Sequence, residues 1–373
     1  MDFLVIGAGF FGSTVAQRLA DAGLRVHVIE KRSHIGGNCY SSRDPETGIE
    51  CHQYGSHIFH TSNEKVWHYL SGFTEFNQYR HTVWTTYKNH VYSMPINLHT
   101  INTYYGMTLK PYEVKAFINE EIKKEKLADL DNLEAKVISM IGRPLYEAFI
   151  RGYTIKQWEK DPKELSSDII TRLPVRHDYN ARYFSDTYEG IPRDGYTSVV
   201  ERMLDHPNIS VELGCDYFEN RNRLTSSPIL YTGPIDRFFD YEFGHLDWRT
   251  IEFVRTAHDV PDFQGCSVMN YADAGIPFTR IHEFKHFHPE RPSTPQTVTF
   301  TEYSRLAGLV DDPYYPVNTP RNAALLEAYQ ERSRRCEHIW FGGRLGSYKY
   351  FDIDDTVDAA LNCADAILQH LHG

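Results

Sequence analysis

No run of apolar residues in this chain approaches the ~20 that cross a bilayer, although 41% of its residues are hydrophobic. Met1-Asp2 leads straight into an apolar strand, without the basic and then apolar pattern of a secretory leader. A cytoplasmic chain with no membrane partner is the expectation. The six cysteines, Cys39, Cys51, Cys215, Cys266, Cys336 and Cys363, never fall in C-x-x-C and lack framework spacing, so reduced, structural thiols are expected. Positive charge is also short: 39 Lys and Arg against 50 Asp and Glu leave a net charge of −11. Nucleic-acid binding draws on counterion release by Lys and Arg, so a nucleic-acid partner is not expected and any anionic ligand must be met by local arginines. His52, His57 and His60, or His282, His286 and His288, offer imidazoles, but neither group has a metal-site pattern, and no metal is expected. No nucleophilic triad, internal repeat or low-complexity segment is recognisable.

What is present begins at residue 2. DFLVIGAGFFGSTVAQRLADAGLRVHVIEKRSHIGG (2–37) carries an apolar strand, a Gly-x-Gly-x-x-Gly turn and an acid closing the next strand. Gly7 allows the tight turn, Gly9 lets backbone N–H groups approach a pyrophosphate, and Gly12 lets the helix pack on the sheet. The diphosphate would then lie on a helix N-terminus. Glu30 has the chemistry to accept hydrogen bonds from a ribose 2′-OH. Leu4, Val5 and Ile6 form a buried-strand run, Val15, Ala16, Leu19 and Ala20 repeat at helical spacing, and Gly23 stops that helix. Gly36 and Gly37, followed by Asn38, would bring a second stretch of backbone to the cofactor, as in flavin-binding variants of the Rossmann motif.

At 373 residues the chain exceeds what one core supports, so two or three domains are expected. The segment 98–162 shows helical periodicity. Asp131 with Glu134 reads as a capping box, Leu133, Val137, Met140 and Ile141 form an apolar face ending at Gly142, and Pro144 opens a helix with face Tyr146, Phe149, Ile150 and Tyr153. From 241 to 303 the pattern alternates, as in TVTFTE (297–302) and FTRIHEFKHF (278–287), and predicts a mostly antiparallel sheet. Ile209–Phe218, Pro228–Thr232 and Ile339–Phe341 read as strands that return to the nucleotide domain. A final amphipathic helix follows, marked by Val357, Ala360, Leu361, Ala364, Ile367, Leu368 and Leu371. If its N-terminus faces the flavin, its partial positive charge would stabilise a reduced ring. The fold class expected is α/β: a discontinuous Rossmann-like domain (1–80, 185–240, 321–373), a helical insertion (98–171) and an antiparallel sheet domain (241–320 with 81–97 and 172–184).

Beyond the first motif the chain resembles the bacterial UDP-galactopyranose mutases over essentially its whole length. The resemblance is carried by GAGFFGS (7–13), EKRSHIGGN (30–38), YGSHIFHT (54–61), MPINLHT (94–100), GYTIKQW (152–158), ITRLPVR (170–176), YTGPID (231–236), PFTRIHE (277–283), PYYPVN (313–318) and GGRLGSYKYFDID (342–354). It implies an isomerase that interconverts UDP-galactopyranose and UDP-galactofuranose, with FAD required in reduced form. The implied mechanism joins flavin N5 to galactose C1, expels UDP, opens and recloses the sugar, and returns UDP. It further implies an external reductant such as NAD(P)H or reduced flavin, a homodimer, and a product destined for cell-surface glycan. A flavin oxidoreductase of the amine-oxidase kind shares the fold and the Gly-Gly block and is the alternative.

By resemblance, Arg172 and Arg280 grip the diphosphate and promote departure of UDP, with Arg172 in a mobile lid spanning 164–178. Tyr153 and Trp158 match the uridine site, Tyr183, Tyr315 and Tyr350 the phosphate-bonding tyrosines, and Asn270 a substrate-binding asparagine. Cofactor positions are Gly7, Gly9, Phe11, Gly12, Glu30, Lys31, Gly37, Asn38, His57, Ile58, Asp216, Tyr217, Arg344, Asp352 and Ile353. Two positions depart from the family pattern. His81 stands where an asparagine of the substrate site is expected, which leaves the local sugar or nucleotide contact open. Glu159 stands where glycine is common, and is read as altering only the loop.

Overall fold

The computed structural model describes residues 2–125, 127, 129–167, 175–224 and 228–372. In chain order the strands of its two main sheets are β1 (Asp2–Ile6), β2 (Arg25–Glu30), β3 (Val83–Tyr87), β4 (His90–Met94), β5 (Ile209–Leu213), β6 (Ile229–Tyr231), β7 (Trp248–His258), β8 (Val268–Tyr271), β9 (Arg280–Glu283), β10 (Thr297–Leu306), β11 (Tyr315–Pro316) and β12 (Ile339–Phe341).

The first sheet has the order β12-β6-β1-β2-β5 and every pairing in it is parallel. Phe3, Leu4, Val5 and Ile6 are all buried, as a parallel strand covered on both faces requires. Helix α1 (Phe10–Asp21) places Val15, Ala16, Leu19 and Ala20 in one core with Val357, Ala360, Leu361 and Ala364 of the C-terminal helix. That helix starts at Ile353, one turn ahead of the apolar repeat, because polar Asp354 and Asp355 occupy its first turn. Strand β5 ends at Leu213 rather than reaching Phe218: Gly214 turns the chain at φ +66, and Asp216 caps a short helix Tyr217–Asn220 by accepting from Phe218 N at 2.8 Å.

The second sheet runs β11-β7-β10-β9-β8-β3-β4 and is antiparallel except where β8 meets β3. Alternation over 278–287 overran: β9 stops at Glu283, and Phe284–Phe287 form a 3₁₀ turn that buries Phe284 and Phe287. Against one end of this sheet lies a helical layer whose core contains Leu98, Ile101, Val114, Ile118, Leu133, Val137, Ile138 and Ile141 together with Val83 and Met94. Each such buried side chain contributes about 1.5–3 kcal/mol. The cap of Leu133–Ile141 is Asn132, which accepts from Ala135 N at 2.9 Å, not Asp131; Glu134 instead accepts from Tyr146 O–H at 2.8 Å. After Gly142 the chain re-enters helix, passes a π-helical turn over Tyr146–Arg151 and continues as α2 (Gly152–Trp158). α2 packs closely, since a Cβ on Gly152 would stand 2.3 Å from Ala272 O. Among the described residues no helix is long and apolar enough to cross a membrane. All six cysteines are free.

Candidate active site

Between the two sheets and the helical layer lies a cavity of about 1590 Å³. A site for one drug-sized ligand takes roughly 300–1,000 Å³, so there is space for a dinucleotide together with a second ligand.

One side is built from backbone. The chain leaves β1 at Gly7 with φ +108. A Cβ at Gly7 would lie 2.1 Å from Thr232 Oγ1, and one at Gly12 would lie 2.0 Å from the Gly7 carbonyl oxygen, so neither position accepts a side chain. Gly9 is the N-cap of α1 and supplies no capping group, which leaves the first-turn N–H groups open to an anion. Gly36 bridges to Gly9, and a Cβ on Gly37 would come within 3.1 Å of Gly9 Cα, so the second glycine pair closes on the first. Glu30 accepts from Ala8 N and Arg32 N, both at 2.9 Å, and each carboxylate oxygen keeps a lone pair for a ribose hydroxyl. Phe11 is buried, its ring pressed to Gly342, where a Cβ would stand 2.3 Å from it. These features fit a dinucleotide.

Lys31 is exposed and reaches Asp312 at 3.2 Å. Its neighbour Arg32, which sequence reasoning passed over, is the better enclosed cation: it bonds Asn38 Oδ1 at 3.0 Å and Asp312 at 2.8 Å and lies 4.3 Å over the Tyr54 ring. Across the cavity, His57 bonds the Gly55 carbonyl at 2.7 Å; burial, aided by the Arg344 charge, pushes its pKa down to about 4. Ile58 and Tyr217 also line the cavity. Asp216 takes Arg237 Nη2 at 2.9 Å. Arg344 donates to the Tyr314 carbonyl at 3.3 Å and lies 4.6 Å over the Tyr350 ring, whose hydroxyl donates to Asp352 at 2.9 Å. Ile353, the first residue of α3 (Ile353–His372), lines the cavity, as does Thr356.

The opposite wall is built from side chains that strand register brings together. Asn270 of β8 stands beside Arg280 of β9, and Arg280 stands beside Glu302 of β10. Arg280 donates from Nε to both Glu302 oxygens at 3.0 Å and places Nη2 2.8 Å from Oε2. Burial would raise the Glu302 pKa, but the charge of Arg280 and the hydrogen bond from His282 outweigh it and hold the carboxylate at about 2. Glu302 therefore stays ionised and fixes the plane of the guanidinium. His282 is kept neutral by burial, donates from Nε2 to Glu302 at 3.0 Å and meets Ser56 Oγ at 2.6 Å through Nδ1. Asn270 Oδ1 is buried with no hydrogen-bond partner among the described residues, an acceptor left for a ligand. Glu302 was missed as a site residue. Alternation along TVTFTE was its signal, because it puts the acid on the face of Val298 and Phe300.

Tyr153, Trp158, Tyr183, Tyr315 and Tyr350 line the same cavity. Burial raises the phenol pKa of Tyr153, Tyr183 and Tyr350, so these hydroxyls are donors at neutral pH. Arg172 and most of the central part of the 164–178 segment lie outside the described residues. Glu159 does more than reshape a loop. It sits at φ 53, where glycine is the easy residue, and accepts from Arg249 Nη1 at 2.6 Å and from Leu306 N at 3.0 Å. Arg249 is only 2% exposed, so this pair ties the end of α2 to β7 and β10. Of the histidines considered as metal ligands, His286 lies with Asp262 and Glu283, their ligand atoms within 4.8 Å of one another.

A family model described as UDP-galactopyranose mutase matches residues 148–350, more than half of the chain. The chain belongs to the UDP-galactopyranose mutase family. A model of the NAD(P)-binding Rossmann-like domain matches residues 5–73. A Klebsiella pneumoniae protein named "Probable UDP-galactopyranose mutase" is 42% identical over 98% of this chain and 94% of its own length. The Escherichia coli dTDP-fucopyranose mutase is 39% identical over 98% of each chain. A crystal structure of reduced UDP-galactopyranose mutase superposes with a TM-score of 0.73 over 99% of this chain and 95% of that one; at 15% identity this speaks to the fold, which is α/β with a Rossmann-like domain.

Proposed function

We propose that this chain interconverts UDP-galactopyranose and UDP-galactofuranose, with UDP as the leaving group and FAD in its reduced form as cofactor. The observation that carries the reading is the Asn270–Arg280–Glu302 row facing the same cavity as the glycine cradle. The 42% identical K. pneumoniae relative supports it. Gly7, Gly9, Phe11, Gly12, Glu30, Lys31, Arg32, Gly37 and Asn38 would hold the cofactor together with His57, Ile58, Asp216, Tyr217, Arg344, Asp352 and Ile353. The chemistry a bound, reduced flavin supplies is a nucleophilic nitrogen toward the anomeric carbon.

The remaining work falls to the protein. Arg280, its plane fixed by Glu302, offers N–H groups to the departing diphosphate, which gains negative charge as the C–O bond breaks. Because Glu302 already balances that charge, one pair is nearly neutral toward a diphosphate, and a second cation is required. Arg172 is assigned that role. The hydroxyls of Tyr153, Tyr183 and Tyr315 add donors, Tyr350, whose proton goes to Asp352, lines the site beside them, Trp158 supplies a ring face for the base, and the unpartnered Asn270 oxygen accepts from a sugar hydroxyl. The N-terminus of α3 places partial positive charge toward the cavity, which favours an electron-rich ring there.

The test is an anaerobic assay of dithionite-reduced protein with UDP-galactose, product separated by chromatography. Many turnovers to the furanose with the flavin reduced throughout are expected. A stoichiometric change in flavin redox state would instead make the chain an amine-oxidase-like oxidoreductase. The dTDP-fucopyranose mutase relative makes dTDP-fucose the second substrate to run in parallel, and a larger kcat/KM for it would move the assignment to that sugar nucleotide.

A further inference from the structure

His81 is fixed at every polar atom but one. Its N–H donates to Glu189 Oε1 at 2.5 Å, its carbonyl accepts from Tyr183 N at 2.9 Å, and its Nδ1 lies 2.9 Å from Tyr79 O–H. Nε2 has no partner among the described residues, and the residue lines the cavity. Tyr79 in turn lies 2.5 Å from Ser267 Oγ, and both are buried. Two proton arrangements are open to this chain of three. If His81 donates from Nδ1 to Tyr79, then Tyr79 must donate to Ser267, and the buried Ser267 proton has no acceptor among the described residues. A stranded donor of that kind is disfavoured. If Ser267 donates to Tyr79 and Tyr79 to Nδ1, both hydroxyl protons are used and the remaining hydrogen sits on Nε2, left for an acceptor in the cavity. Burial, with the charge of Arg280 adding, pushes the His81 pKa down to about 3, so the ring stays neutral.

Resting on the mutase reading above, we propose that the Ser267–Tyr79–His81 relay fixes His81 as an Nε2–H donor to an oxygen of the sugar, making it a recognition residue for the hexose rather than for the nucleotide. Its place supports the sugar over the phosphates. Phe184 stacks on His81 with ring centroids 5.8 Å apart and on His60 at 3.6 Å, and His60 reaches Asp352 at 3.9 Å, just ahead of α3. His81 thus stands between the Arg280 row and the wall assigned to the flavin. A neutral donor also suits a hydroxyl, whereas a phosphate is better met by guanidinium.

The test is calorimetry on FAD-loaded protein with UDP and with UDP-galactose, joined to ¹⁵N NMR of the histidine rings. His81→Phe keeps the ring and loses the donor. It is expected to bind UDP within twofold of the parent and UDP-galactose about two- to tenfold more weakly, with a matching rise in KM, the loss of one neutral hydrogen bond. His81→Asn, which retains a side-chain donor, should recover most of that loss. The NMR should show His81 protonated at Nε2, and Tyr79→Phe should turn it into a mixture of tautomers. Equal weakening of UDP and UDP-galactose, no weakening of either, or a proton on Nδ1 in the parent would each overturn the inference. The NMR arm stands even if His81→Phe does not fold. A parent protein that binds neither ligand would defeat the mutase reading itself, a different failure from a parent that binds both and ignores the His81 substitution.

Discussion

The glycine cradle and the wall facing it hold ligands by different means. The cradle is backbone: N–H groups at the start of α1, two glycine stretches in contact, and one carboxylate anchored by the N–H groups of Ala8 and Arg32. All of its parts come from 7–38, with Thr232 and Gly342 packed behind. The wall is side chain: Asn270, Arg280 and Glu302 are neighbours only because β8, β9 and β10 pair in one register. A one-residue slip of any one of these strands would turn its member of the row to the other face. The cradle depends on the absence of Cβ atoms, and the wall on a buried charge pair, so the two should fail differently when altered.

Arg280→Ala should give the largest effect. Loss of a charged hydrogen bond to the leaving group lowers kcat/KM about ten- to hundredfold, and the stranded Glu302 charge costs about 3–5 kcal/mol of stability. FAD should stay bound. Adding Glu302→Gln to that variant should restore most of the stability and none of the turnover; recovery of turnover, measured beside urea unfolding, would separate the wall from the chemistry. Acid comes next. The folded pKa of Glu302, about 2, lies below its ordinary 4.5, so its contribution is complete above about pH 4.5 and is lost as pH falls toward 2, up to ~3 kcal/mol. Unfolding midpoints across that window should fall less steeply in Glu302→Gln.

Gly12→Ala probes the cradle. Its Cβ would meet the Gly7 carbonyl, at a cost of about 1–3 kcal/mol. Flavin content, read from absorbance of the purified protein, should drop while UDP binding holds within twofold. Parallel loss of both would show that cradle and wall are one cooperative unit. The smallest effect is expected for Glu159→Gly. Glu159 is itself half exposed, so water can take its place beside Arg249 and the pair is worth only about 1 kcal/mol; relief of the left-handed backbone offsets about as much, leaving a net change under ~1 kcal/mol in thermal unfolding, whereas Glu159→Ala should lose more.

The difference between cradle and wall also explains what could be read in advance. Gly7, Gly9, Gly12, Glu30 and the Gly36-Gly37 pair are legible because turn, helix and strand follow one another within a few residues, and each glycine answers a local steric demand. Arg280 and Asn270 were reached by resemblance, since nothing local marks them. Glu302 carried only the weak signal of an acid on an apolar strand face. The misread stretches share a cause: Asp131 and Asn132 are equally good caps by composition, and FTRIHEFKHF alternates beyond Glu283, but burial of Phe284 and Phe287 bends it into a turn. Glu159 looked like a loop change because its partner, Arg249, is ninety residues away in the chain.

The order of short-range steric and periodic signals by itself determined the α/β class, the dinucleotide turn and the final helix, because those depend on neighbours in the chain. Only the tertiary structure decided which carboxylate orients Arg280, which nitrogen of His81 is left free, and that Glu159 is a buried arginine's partner. Those depend on strand register and on desolvation, and both are set by residues far apart in sequence.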